Sequence, residues 1–213
     1  MTHTLHRSGD RESLENDFVW LMYQTRGVND KNIAPKARVF IEAAEACNCI
    51  NWGDVKSGNV LEIPAEEIKS RLTDQSRLRG VFVSKQDVTG FVRRIKEAGL
   101  GISVVISGLL EEVQDICDAA GVKPHTINYS LGVWGNTHVL PSQDVLAVTT
   151  MCGHHMVSPG MVEKMVDDIV EQRVTAEQAG RELGRLCPCG VFNHVRAARE
   201  LEKMARRRSG PTQ

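Results

Sequence analysis

Residues 12–27 read ESLENDFVWLMYQTRG, and the state of this stretch sets what the rest of the chain can pack against. Leu14, Phe18 and Leu21 recur at helical spacing and give one apolar face, and Gly27 can end a helix. The spacing therefore predicts a helix here. Two more are expected downstream. One lies in APKARVFIEAAEACNC, with Pro35 near its start and Phe40, Ala44 and Cys47 on one face; a shorter one lies in PAEEIKSRLTDQ. Residues 1–75 thus read as a helical N-terminal segment.

The pattern changes at residue 76. GVFVS (80–84) is a short apolar run followed by the amphipathic KQDVTGFVRRIKEAGLG, and ISVVISG (102–108) is followed by LLEEVQDICDAAGV. Two strand–helix units in succession predict a parallel sheet with packed helices, an α/β core over residues 76–141. A third strand is expected in HTINYSLGVW, where Ile127, Tyr129, Leu131 and Val133 alternate with Asn128, Ser130, Gly132 and Trp134.

Residues 142–213 read as a helical module. Ser158 and Pro159 form a helix start, and Met161, Met165 and Ile169 continue as an apolar stripe. Thr175 with Gln178 reads as a capping box, and Asn193 as the cap of a last helix, whose tail from Ala205 is expected to fray.

Composition narrows the class. The chain has 213 residues, 41% of them apolar and 25% charged, with a formal net charge of −1. That fits a folded globular protein and gives no global field for nucleic acid. The arginines Arg206 to Arg208 are expected to complement the dipole of the last helix. No apolar run approaches the ~20 residues of a membrane span, and the polar N-terminus lacks a secretory signal. The cytoplasm is the expected compartment, where thiols stay reduced.

Six cysteines then call for a chemical reading. TTMCGHHMVSPG (149–160) sets Cys152 beside His154 and His155, and RLCPCGVFN (185–193) sets Cys187 and Cys189 around Pro188. The 34 residues between Cys152 and Cys187 form two helices whose hairpin returns the chain to its start, so the three thiols converge. Glycine-rich, polar surroundings favour ligands over buried packing. Cys47 and Cys117 fall on apolar helix faces and read as core, and Cys49 is a possible fourth ligand. Zinc requires four ligands, available as Cys₃His if His154 or His155 joins. An iron–sulfur cluster is the other candidate.

Over residues 149–193 the ligand type and number resemble the three-cysteine sites of [4Fe–4S] dehydratases and desulfidases. The usual dehydratase arrangement includes a Cys-x-x-Cys pair, which this chain lacks. The resemblance implies a [4Fe–4S] cluster on Cys152, Cys187 and Cys189 whose free iron acts as Lewis acid on a small polar metabolite, by elimination, hydration or desulfuration. His155, His154 and His125 are then the proton carriers. Strand ends and the loop before the third strand supply Lys85, Ser107, Lys123 and Asn128 as substrate contacts, with Arg79 as a further carboxylate partner and Ser158 as a hydroxyl near the cluster. The alternative is non-catalytic: a zinc- or cluster-binding accessory, electron-transfer or redox-sensing protein. The expected partners are a small-molecule substrate and a further copy or a partner subunit, with no nucleic acid and no membrane.

Overall fold

The architecture was analysed in a computed structural model, which describes residues 4–210. The stretch 12–27 is not a helix. A single turn, α1 (Arg11–Leu14), gives way to strand β1 (Phe18–Tyr23), and β1 lies inside a five-stranded sheet. The order across the sheet is β3 (Gly58–Asn59), β2 (Asn51–Asp54), β4 (Leu78–Phe82), β1, β5 (Ser103–Ser107).

Every neighbouring pair is antiparallel, which corrects the expected parallel sheet. The strand–helix–strand order of β4, α4 (Lys85–Ala98) and β5 still makes β4 and β5 parallel to each other. They do not touch, because β1 is inserted between them, with Trp20 opposite both Gly80 and Ile106.

The physical reason is the burial of β1 on both faces. Phe18, Trp20 and Met22 enter one core and Val19 and Leu21 the other. A strand covered on both sides is apolar throughout, so its sequence lacks the alternation that marks a half-exposed strand. On the first face Trp20, Phe82 and Phe91 pack with ring centroids 5.0 to 5.3 Å apart from Phe91, beneath α2 (Ile33–Glu45), α4 and α5 (Leu110–Ala120). The short α3 (Ala65–Ser70) adds Ile68 to this core. The second face carries α6 (Gln143–Thr149), α7 (Pro159–Val170), α8 (Ala176–Arg185) and α9 (His194–Ser209).

Local signals set the helix starts in this second layer. Ser158 accepts from the Met161 amide with Pro159 in the first turn, Thr175 and Gln178 close a capping box, and Asn193 accepts from the Arg196 amide. The tail is helical from Ala205 to Ser209, with Arg208 paired to Glu163 and Asp167 and Arg207 to Asp144; residues 211–213, the rest of the expected frayed tail, lie outside the described residues.

The expected third strand is absent. Residues 127–134 pair with no strand, and Leu131 and Trp134 are more than four-fifths exposed. Alternation alone does not make a strand when no partner edge supplies the backbone hydrogen bonds. No helix among the described residues is long and apolar enough to cross a membrane.

Candidate metal centre

The second core is where the cysteines meet. Cys152 follows α6 in a turn closed by the Cys152 amide on the Thr149 carbonyl and the His155 amide on the Cys152 carbonyl. Cys187 ends the turn after α8, and the Gly190 amide bonds back to its carbonyl. All three thiols are fully buried against Val19, Leu21 and Val81 of the sheet.

Their separations are short. Cys187 Sγ lies 3.7 Å from Cys189 Sγ, and Cys189 Sγ lies 3.8 Å from His154 Nδ1. Cys187 also hydrogen-bonds Cys152. Its thiol therefore serves both neighbours, and this drives its own proton affinity up. The same hydrogen bond pulls Cys152 down to about 6 against its burial, helped by the backbone at Met156 and His154. Cys189 falls to about 5, first through Cys187, against burial, then through the backbone at Val191 and the charges of Arg79 and His154. Lowered proton affinity at Cys152 and Cys189 favours the thiolate, the form in which cysteine ligates a metal.

Side chains from distant parts of the sequence hold the two cysteine turns. Asn59 is fully buried, and its Nδ2 donates to the carbonyls of Gly184, Arg185 and Cys187 at 3.3, 3.2 and 2.9 Å. Asn51 donates to the Phe192 carbonyl at 3.1 Å. Gly190, at φ 75°, lies so close to β2 that a Cβ there would sit 2.3 Å from the Trp52 carbonyl carbon; one on Gly53 would sit 2.8 Å from the Pro188 carbonyl oxygen. Arg7 reaches both turns, donating to the Met151 carbonyl at 3.1 Å and to the Val191 carbonyl. Its charge is met by Asp17, which also binds Arg196 and Asn193. Burial alone would raise the Asp17 carboxyl, but the two guanidiniums and the Asn193 amide hold it below its ordinary value.

The remaining expected site residues are dispersed. Lys85 begins α4 on the opposite side of the sheet and pairs with Glu112 and Asp115 at 2.7 and 2.6 Å. The Ser107 hydroxyl bonds that of Thr4 at 2.8 Å. Lys123, His125 and Asn128 are exposed in the segment after α5, and Ser158 is occupied as a helix cap. His155 is exposed in a left-handed turn conformation, φ 57°, whereas His154 is the histidine that meets a sulfur. Cys49 faces the other core, bonded to Trp20 Nε1 and the Asn51 and Val81 carbonyls; burial, first among its influences, pushes it up to about 12. Cys47 is buried in that same core.

Arg7, Asp17 and Asn59 carry no local sequence signal as parts of a site. Arg79 carries only the signal of a cation on a strand, on the face it shares with Val81.

Among the described residues, no three His, Cys, Asp or Glu side chains are already disposed about one point as a metal ion requires. Two surface depressions, of about 610 and 260 Å³, are lined by other residues: the first by Asn48, Lys85 and Arg93 with their neighbours, the second by Glu12, Arg199 and Glu200 with theirs. Comparison of the chain with family models, curated proteins and solved structures finds no match.

Proposed function

We propose that this chain is a metal-binding protein in which Cys152, Cys187, Cys189 and His154 share one zinc ion, and that the ion's role is to clip the two cysteine turns together beneath the sheet. The carrying observation is the pair of separations, 3.7 Å between sulfurs and 3.8 Å from sulfur to imidazole nitrogen. A tetrahedral ion with Zn–S of about 2.3 Å and Zn–N of about 2.0 Å places sulfurs ~3.8 Å apart and sulfur and nitrogen ~3.5 Å apart. Small rotations of side chains already bonded to one another would complete the set. The cysteines of a [4Fe–4S] cube bind different irons, so their sulfurs stand farther apart than those sharing a single ion.

Buried sulfurs also favour a closed structural centre over one that admits substrate. His154, the exposed member, is the solvent-side ligand. A second reading keeps the open-iron cluster on the same cysteines. The charge of Arg79 beside Cys189 favours it, because a cation there could hold a substrate anion.

Anaerobic purification with zinc, iron and sulfide analysis tests the proposal. One zinc per colourless chain, lost in Cys187→Ala and weakened in His154→Ala, is the expected result. A brown protein with iron, sulfide and a broad band near ~400 nm would replace zinc with the cluster. Protein without zinc or iron would end both readings.

A further inference from the structure

The segment 127–134 is unusual for what it leaves in water. Ile127, Tyr129, Leu131, Val133 and Trp134 are between 51% and 84% exposed within eight residues. Together they present on the order of 700 Å² of side-chain surface, about what one partner contributes to a standard interface of ~1,600 Å². Isolated exposed apolar residues are ordinary, but five large ones exposed within eight residues are the kind of surface that marks a contact.

A second feature lies on the same side of the molecule. β5 is an edge strand: its inner side pairs with β1, and among the described residues no backbone hydrogen bond reaches its outer side. It is rich in apolar residues, SVVIS, and carries no lysine, proline or other edge-blocking device. The N-terminal arm links the two features. Thr4 bonds Ser107 at the end of β5, and two residues on, His6 Nδ1 lies 3.1 Å from the Ser130 hydroxyl.

The chain therefore carries, side by side, a strand edge unpaired among the described residues and an exposed segment with the alternating pattern of a strand. We infer that the occupant of both is a second copy of this chain: residues 127–134 of each copy lie along the β5 edge of the other. Two-fold symmetry satisfies both features at once, since each copy donates its segment and receives its partner's. Main-chain pairing supplies the register, and alternate apolar side chains cover the sheet margin. At about 3.3 Å per residue the segment extends ~26 Å, enough to span the five residues of β5. The segment from Val122 to Leu140 carries Lys123 as its single cation and no acidic residue, so the association is apolar in character and insensitive to salt.

Sedimentation of the full-length protein over ~1–100 μM, with amide hydrogen exchange at the same concentrations, tests this. The expected result is a dimer, with β5 amides protected more strongly as the dimer fills. Leu131→Ser combined with Trp134→Ser changes only exposed positions. It should give a monomer with unchanged circular dichroism and β5 amides that exchange quickly. A wild-type monomer throughout the range would overturn the inference. So would a dimer that survives the double substitution, or one that forms without added β5 protection.

Discussion

Replacing Asp17 by Ala tests whether the buried ion cluster braces the proposed metal centre. Asp17 is 2% exposed and holds two guanidiniums that are themselves nearly buried, Arg7 at 2.6 Å and Arg196 at 2.9 Å, and it accepts from Asn193 at 3.0 Å. Removing the carboxylate leaves two cations without their shared counter-charge in the interior. Breaking a buried pair this way costs about 3–5 kcal/mol, a large fraction of the ~5–15 kcal/mol that keeps a domain folded. For a chain of this length each kcal/mol shifts Tm by roughly 2–4 °C, so Tm should fall by about 6–20 °C.

Metal binding should weaken as well. Arg7 released from Asp17 no longer has a fixed position from which to hold the Met151 and Val191 carbonyls, one residue before Cys152 and two after Cys189. Chelator competition should show zinc affinity reduced by about tenfold or more, equivalent to ~1.4 kcal/mol. Asp17→Asn keeps the shape without the charge and should lie closer to Asp17→Ala than to the wild type. Melting curves with and without zinc, followed by titration with a coloured chelator, measure both quantities. A loss below about 1 kcal/mol together with unchanged zinc affinity would refute the reasoning.

Other outcomes follow from the same contacts. Gly190→Ala forces a Cβ into the backbone of Trp52 at a left-handed φ, so the protein should lose several kcal/mol or fail to fold, as judged by denaturant melts. Asn59→Ala strips the donor from three carbonyls around Cys187 and should cost about 2–3 kcal/mol, read from the shift in urea midpoint. Burial, and next the charge of Arg181, pushes His194 down to about 4, and its buried Nδ1 has no hydrogen-bond partner among the described residues. Its unfolded value is ~6.5, so the stability gained by keeping it neutral is complete above that pH and is lost as pH falls from 6.5 towards 4. In a His194→Leu variant the stability–pH curve should be flatter across that window; an equally steep decline would remove His194 as the cause. Cys49→Ala should leave the zinc content of the purified protein unchanged, because its sulfur faces the opposite core.

The chain itself determined what short-range chemistry governs. Ser158–Pro159, the Thr175–Gln178 box and Asn193 fix helix starts through side-chain bonds spanning three residues, and the short apolar runs at 80–84 and 102–108 do become strands. The same helical hairpin carries Cys187 and Cys189 back to Cys152, so the meeting of the sulfurs was readable from spacing.

Tertiary structure decided the rest. Phe18–Tyr23 is apolar in a way that suits a buried helix or a buried strand, and only the two edges offered by β4 and β5 turn it into the inserted strand that makes the sheet antiparallel. Residues 127–134 carry a cleaner strand pattern and are not paired within the described residues, although the β5 edge lies beside them, so pattern alone did not decide their state. Arg7, Asn59 and Arg79 reach the cysteine turns across more than a hundred residues, and Asp17 acts through Arg7. A side chain's neighbours at that distance depend on how whole layers pack, and local periodicity carries no trace of it.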